Sequence, residues 1–134
     1  MSVRGVGIDL CEIRRMADLA ENAAFLERYF TAEERAYLSQ KGLGKAQTLA
    51  GLFAAKEAVT KALGSGIAFP LKEIEIGHTA EGQPAVRLTG RAAELAQGGE
   101  MLVSISHEGG MAAAVALWET AQGLALQDEE TGNG

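Results

Sequence analysis

Apolar residues alternate through SVRGVGIDL, with Val6, Ile8 and Leu10 on one side and Gly7 and Asp9 on the other, the two-residue period of a strand. From Glu12 the period lengthens, and Ile13, Met16 and Leu19 fall at helical spacing. A second short helix is predicted over 23–30. Thr31 then reads as an N-cap with Glu34 as its capping-box partner, for a helix to about Gln40. Residues 41–44, Lys-Gly-Leu-Gly, break the pattern, and a long alanine-rich helix follows over 45–63. Beyond Gly66 the period shortens again. Residues 71–76 alternate as a strand ending near Gly77, EGQP makes a turn, and residues 85–88 form another strand. Thr89 or Gly90 opens the short helix RAAELAQ, stopped by Gly98-Gly99. The run MLVSISHEGGMAAAVALWE predicts two strands about His107-Glu108-Gly109-Gly110, a hairpin. The fold class is therefore α+β: a leading strand, a helical block, then an antiparallel sheet with one further helix. Residues 1–120 read as one domain and 121–134 as a polar, acidic tail expected to be disordered.

Composition narrows the function classes. A length of 134 residues, 47% of them hydrophobic, suits one ordinary core. The single cysteine, Cys11, excludes a disulfide framework and a multi-cysteine zinc site, and reads as a small buried hydrophobe. No apolar run approaches the ~18 residues of a membrane span, and the N-terminus lacks a signal-peptide core, so a cytoplasmic protein is expected. The net charge of −6 disfavours duplex nucleic acid as a partner. Three of the 18 acidic residues, Asp128, Glu129 and Glu130, belong to the tail, which holds none of the 12 Lys and Arg. The body is thus only mildly acidic and has room for a local basic patch.

The candidate chemistry gathers on the long helix and the leading strand. At ~100° per residue, Leu52, Ala55, Val59, Ala62 and Leu63 make a core face; Phe53, Lys56, Glu57, Thr60 and Lys61 fall opposite. Glu57 and Lys61 form a favourable i,i+4 pair, which on a solvated face needs no function. Asp9 is harder to place, since aspartate is depleted in strand interiors. A buried carboxylate there needs a partner, either a cation or hydrogen-bond donors; it could pair with a core arginine or bind a metal. Asp9 and Glu57 together would be the sparse carboxylate pair of a magnesium site that completes its shell with substrate phosphate oxygens. Gly64-Ser65-Gly66 permits close backbone approach to such phosphates, and Lys61 supplies countercharge. His107, at a strand end, either caps the hairpin or handles a phosphate or proton. No nucleophile with its base stands out, as expected of an enzyme that positions two bound substrates.

Gly7-Ile8-Asp9-Leu10-Cys11-Glu12-Ile13-Arg14-Arg15 resembles the first motif of a known family, and Phe53-Ala54-Ala55-Lys56-Glu57-Ala58-Val59-Thr60-Lys61-Ala62-Leu63-Gly64 resembles its second. The likeness extends through GSGI and SISHEGGMAAAVA, over about residues 3–119. The family is holo-[acyl-carrier-protein] synthase, the short class of 4'-phosphopantetheinyl transferase. The resemblance implies transfer of 4'-phosphopantetheine from coenzyme A to a serine of apo-acyl carrier protein, releasing adenosine 3',5'-bisphosphate. It implies magnesium at Asp9 and Glu57, with Glu57, Lys61 and His107 taking part in catalysis. Glu57, or a water beside it, would accept the serine proton. Coenzyme A would meet Lys45, Phe53, Lys61, Gly64, Ser65, Gly66 and His107, and the carrier would meet Arg14, Arg15, Phe25 and Arg28. The attacking hydroxyl would belong to the carrier, which accounts for the missing nucleophile. A homotrimer with active sites between subunits is implied as well. Two departures stand out: Leu52 occupies a position where many members carry arginine, and Glu21-Asn22-Ala23-Ala24 replaces a segment often basic. A non-catalytic coenzyme A- or carrier-binding module is the alternative reading, and a plain α+β scaffold the third.

Overall fold

Each predicted element forms, and local chemistry explains most of their limits. The computed structural model describes residues 2–64 and 68–121. Strand β1 (Ser2–Glu12) leads into three short helices, α1 (Ile13–Leu19), α2 (Ala23–Tyr29) and α3 (Ala32–Ser39), then the long α4 (Lys45–Leu63). Strands β2 (Ile74–His78) and β3 (Pro84–Leu88), helix α5 (Gly90–Ala96) and strands β4 (Glu100–Glu108) and β5 (Met111–Thr120) complete the chain. The Asn22 side chain accepts from the Phe25 amide to cap α2, and Thr31 and Glu34 form the reciprocal capping box of α3. Gly109 and Gly110, both at positive φ (58° and 80°), make the two-residue turn that joins β4 to β5.

Two expectations change in detail. Residues 71–73 form a 3₁₀ turn after Pro70, so the strand begins only at Ile74 and runs to His78. The leading strand does not stand apart from the later sheet. It pairs antiparallel with β5, giving a three-stranded sheet of order β1-β5-β4, while β2 and β3 form a separate two-stranded sheet.

Helix α4 crosses the inner face of the three-stranded sheet. Eleven of its 19 residues are buried, so it is a central helix rather than a two-sided one. Its proposed core face is correct throughout: Leu52, Ala55, Val59, Ala62 and Leu63 are all buried. Lys56, placed on the opposite face, is nevertheless fully buried. Small residues permit the close crossing. A Cβ on Gly5 would run into the Ala62 carbonyl, and one on Gly7 into the Ala58 carbonyl and the Ala62 nitrogen. Ala112, Ala114 and Ala116 of β5 are buried in the same core. Farther along, Gly51 lies against Ile105 and His107 of β4. The helix therefore runs from the β4 edge at its N-terminal half to the β1 edge at its C-terminal half.

The outer face of this sheet is apolar and bare. Val6, Ile8 and Leu10 are 57%, 62% and 62% exposed, and Leu102 and Val115 of the neighbouring strands are exposed beside them. A contiguous apolar patch on one side of a sheet marks a surface that another molecule covers.

Candidate active site

The glycines of β1 bring Asp9 within reach of the last turns of α4. Asp9 follows Gly7 by two residues, so its side chain shares the inward-facing side. There the Lys61 ammonium donates 3.0 Å hydrogen bonds to Asp9 Oδ1 and to the Ile8 carbonyl. The partner of Asp9 is thus a lysine from the helix, neither a core arginine nor a residue of its own strand. Glu57 lies one turn before Lys61 on α4. Burial raises the affinity of its carboxyl for protons, and the negative charge of Asp9 raises it further, while Lys61 and Arg15 act in the opposite sense. A pair of carboxylates with cationic side chains nearby is suited to receive a divalent cation and a phosphate together. Asp9 and Glu57 are the residues that could hold magnesium. Among the described residues no group of three or more His, Cys, Asp and Glu converges, so any further ligands would come from substrate or water.

Arg15 was expected only as a surface contact. It is exposed on α1 and its charge acts on both Glu57 and Cys11, which places it beside the carboxylate pair. Arg14 is exposed next to it. Cys11 is buried as expected, and burial raises its thiol pKa.

The other expected residues fall elsewhere. His107 lies on β4, with its ring against Gly51, and lines a cleft of about 190 Å³ with Thr48, Leu52, His78 and Pro84. Strand β5 and the body of α4 separate it from Asp9, so the two sit at opposite edges of the sheet, ~10 Å apart by strand spacing alone. Lys45, half-buried at the start of α4, faces the exposed Glu21 at 3.7 Å. Phe53 is partly buried and packs on Phe25, with ring centroids 6.3 Å apart. Phe25 also touches Tyr29 and Phe30, and Arg28 lies over the Tyr29 ring. Gly64 ends α4 at φ 105°, a conformation that favours glycine. Ser65 and Gly66 lie outside the described residues, as do residues 122–134 of the acidic tail. Leu52, where an arginine was the family expectation, is buried and gives its cleft no charge.

The charged group that sequence reasoning missed is Glu34 with Lys56. The Lys56 ammonium donates to Glu34 Oε1 at 2.5 Å, and both side chains are wholly buried. Burial lowers the lysine's pKa, and the glutamate's charge and hydrogen bond work against that shift. Twenty-two residues separate the partners, too far for any local pattern to reveal them.

Comparison with known proteins places this arrangement. The profile of the 4'-phosphopantetheinyl transferase superfamily matches residues 5–116. A holo-[acyl-carrier-protein] synthase of Alkaliphilus metalliredigens is 44% identical over 121 residues, covering 85% of this chain and 98% of the relative. The crystal structure of holo-[acyl-carrier-protein] synthase from Neisseria meningitidis superimposes with a TM-score of 0.76 at 33% identity, over 88% of this chain and 99% of that one. A Chronobacterium ammoniagenes synthase solved as a complex with coenzyme A gives a TM-score of 0.72 at 32% identity, over 84% and 94% of the two chains. By motif, by fold and by coverage, the chain belongs to the holo-[acyl-carrier-protein] synthases of the 4'-phosphopantetheinyl transferase superfamily.

Proposed function

We propose that this protein transfers 4'-phosphopantetheine from coenzyme A to a serine hydroxyl of an apo-acyl carrier protein, with Asp9, Glu57 and Lys61 at the reacting pyrophosphate. The observation that carries the reading is the Asp9–Lys61 hydrogen bond beside a second carboxylate, Glu57, on the two motifs that mark the family. The serine oxygen forms a bond to the β-phosphorus, the bond from that phosphorus to the bridging oxygen breaks, and adenosine 3',5'-bisphosphate departs. Magnesium, when bound by Asp9 and Glu57, supplies charge neutralisation at the pyrophosphate. Lys61, held by Asp9 and the Ile8 carbonyl, stands ready to meet charge that develops on the leaving phosphate. Glu57, or a water beside it, is the acceptor for the serine proton. Arg14, Arg15, Phe25 and Arg28 form the carrier-facing side on α1 and α2, opposite an acidic carrier.

A homotrimer with sites between subunits fits the same geometry. His107 sits across α4 from Lys61, so a single copy does not present both to one phosphate. A second copy seated on the bare apolar face around Ile8 would cover that face and bring in a His107 from outside. The coenzyme A contacts assigned to Lys45, Phe53, Gly64 and His107 follow from the family motifs; Phe53 serves by packing behind the site.

Intact-mass analysis tests the function. The apo-carrier is incubated with this protein, coenzyme A and magnesium, with and without a chelator. A gain of one phosphopantetheine that the chelator abolishes is expected. No gain on several carriers, despite measurable coenzyme A binding, would refute the transferase and leave a binding module.

A further inference from the structure

Helix α2 contains no fully buried residue; Phe25, Leu26 and Tyr29 pack only partly against the core, so what holds its C-terminal end bears on its position. Its C-terminal neighbour, Phe30, is fully buried. Three groups converge on that point. The Arg35 guanidinium donates to the Phe30 carbonyl at 2.6 Å, the Lys56 ammonium lies 4.8 Å from the centroid of the Phe30 ring, and Thr31 begins the capping box of α3. Glu34 joins the elements together. Its Oε1 accepts from the Thr31 amide (2.9 Å) and from Lys56 of α4, and its Oε2 accepts from the Ile76 amide of β2 (2.7 Å). One carboxylate thus fixes the α2–α3 junction, the active-site helix and the edge of the second sheet.

Stability alone does not account for such a group. Desolvating both ions offsets most of their attraction, and apolar residues of similar volume commonly replace a buried pair without loss. What apolar residues cannot supply is direction. Each of the three bonds to Glu34 leads to a different element, and Lys56 adjoins Glu57 in sequence on α4.

We propose that Lys56 and Glu34 are positioning residues, which hold the carrier-facing helix α2 in register with the helix that bears Glu57 and Lys61. The inference rests on the reading of Phe25 and Arg28 as carrier contacts. Its test uses the full chain with Glu34→Gln and Lys56→Met combined, which leaves no uncompensated buried charge. Three quantities are measured: carrier and coenzyme A kinetics varied separately, melting temperature, and hydrogen exchange of the α2 amides. The double variant is expected to melt within a few degrees of wild type. Its KM for the carrier rises about tenfold or more while its KM for coenzyme A stays within twofold, and the amides of Leu26 and Phe30 exchange about tenfold faster than in wild type. A stable double variant with wild-type carrier KM and unchanged α2 exchange would overturn the proposal, as would an equal loss toward both substrates. Failure of wild type itself to modify any carrier would overturn the transferase reading instead. In that case the exchange measurement alone decides the positioning role: faster α2 exchange upholds it and unchanged exchange rejects it.

Discussion

Gly7→Ala tests whether the helix–strand crossing fixes the active site. The added methyl would overlap the Ala58 carbonyl oxygen and lie 2.7 Å from the Ala62 nitrogen and 2.9 Å from the Ala58 carbonyl carbon, all backbone atoms that cannot rotate away. Ordinary carbon contacts begin near 3.5 Å, so β1 and α4 must part by at least about 1 Å. The destabilisation should reach ~3 kcal/mol, the upper end for one surplus methyl in a packed core. In a domain of this size that lowers Tm by about 10 °C. The same 1 Å stretches the 3.0 Å bond from Lys61 to Asp9 beyond hydrogen-bonding range. A misplacement of that size is expected to reduce transfer ~100-fold even well below the new Tm. Thermal melts and intact-mass progress curves read both effects. Gly44→Ala is the control: a Cβ there meets nothing and φ is −86°, so both readings should stay near wild type. A Gly7→Ala protein with unchanged Tm and transfer rate would refute the idea that this contact sets the site. One that loses stability but keeps full turnover would separate packing from catalysis.

Three other outcomes follow from the same geometry. Glu57→Gln should abolish transfer yet raise Tm at neutral pH. The folded-state pKa of Glu57 lies above its unfolded value, so folding favours the protonated form, and the charged form weighs against stability as pH rises through that interval; the Tm gain should vanish below the ordinary carboxyl pKa. A Tm gain that persists in acid would point to packing instead. Ile8→Lys should leave the chain folded, since the side chain is solvent-exposed in a single copy, but convert the proposed trimer to monomers by analytical ultracentrifugation and stop turnover; a fully active monomer would reject the intersubunit site. Arg28→Glu on α2 should raise the KM for the carrier roughly tenfold and leave coenzyme A binding alone, in line with the ~1.4 kcal/mol that a reversed docking charge can remove. Equal losses toward both substrates would remove α2 from the carrier surface.

Most of the fold was legible because its punctuation is local. Gly44 and Gly64 bracket α4, Thr31 with Glu34 announces α3, and Gly109-Gly110 turns the last hairpin. Asp9 could be singled out because it is a charge where the strand pattern asks for something else; Glu57 and Lys61, ordinary on a polar face, gained weight only beside it and through the family motif. Lys56 could not. A helical wheel separates two faces, but on the polar one Lys56 is buried while Phe53, Glu57 and Thr60 are half-buried and Lys61 is exposed, a difference the wheel does not show. The ion pair that resolves this depends on a tertiary contact with Glu34, and the same residue was already explained as a cap. The outward direction of Val6, Ile8 and Leu10 was equally hidden, since alternation shows that two faces differ without saying which one meets the helix.

The placement of Asp9 and His107 on opposite flanks of α4 has a genetic corollary. If each working site draws one flank from each of two neighbours, two inactive chains can repair one another. Co-assembling Asp9→Ala with His107→Ala subunits would give about one contact in four in which both flanks are intact, by random pairing around a closed ring. Some activity would then return from two silent parents.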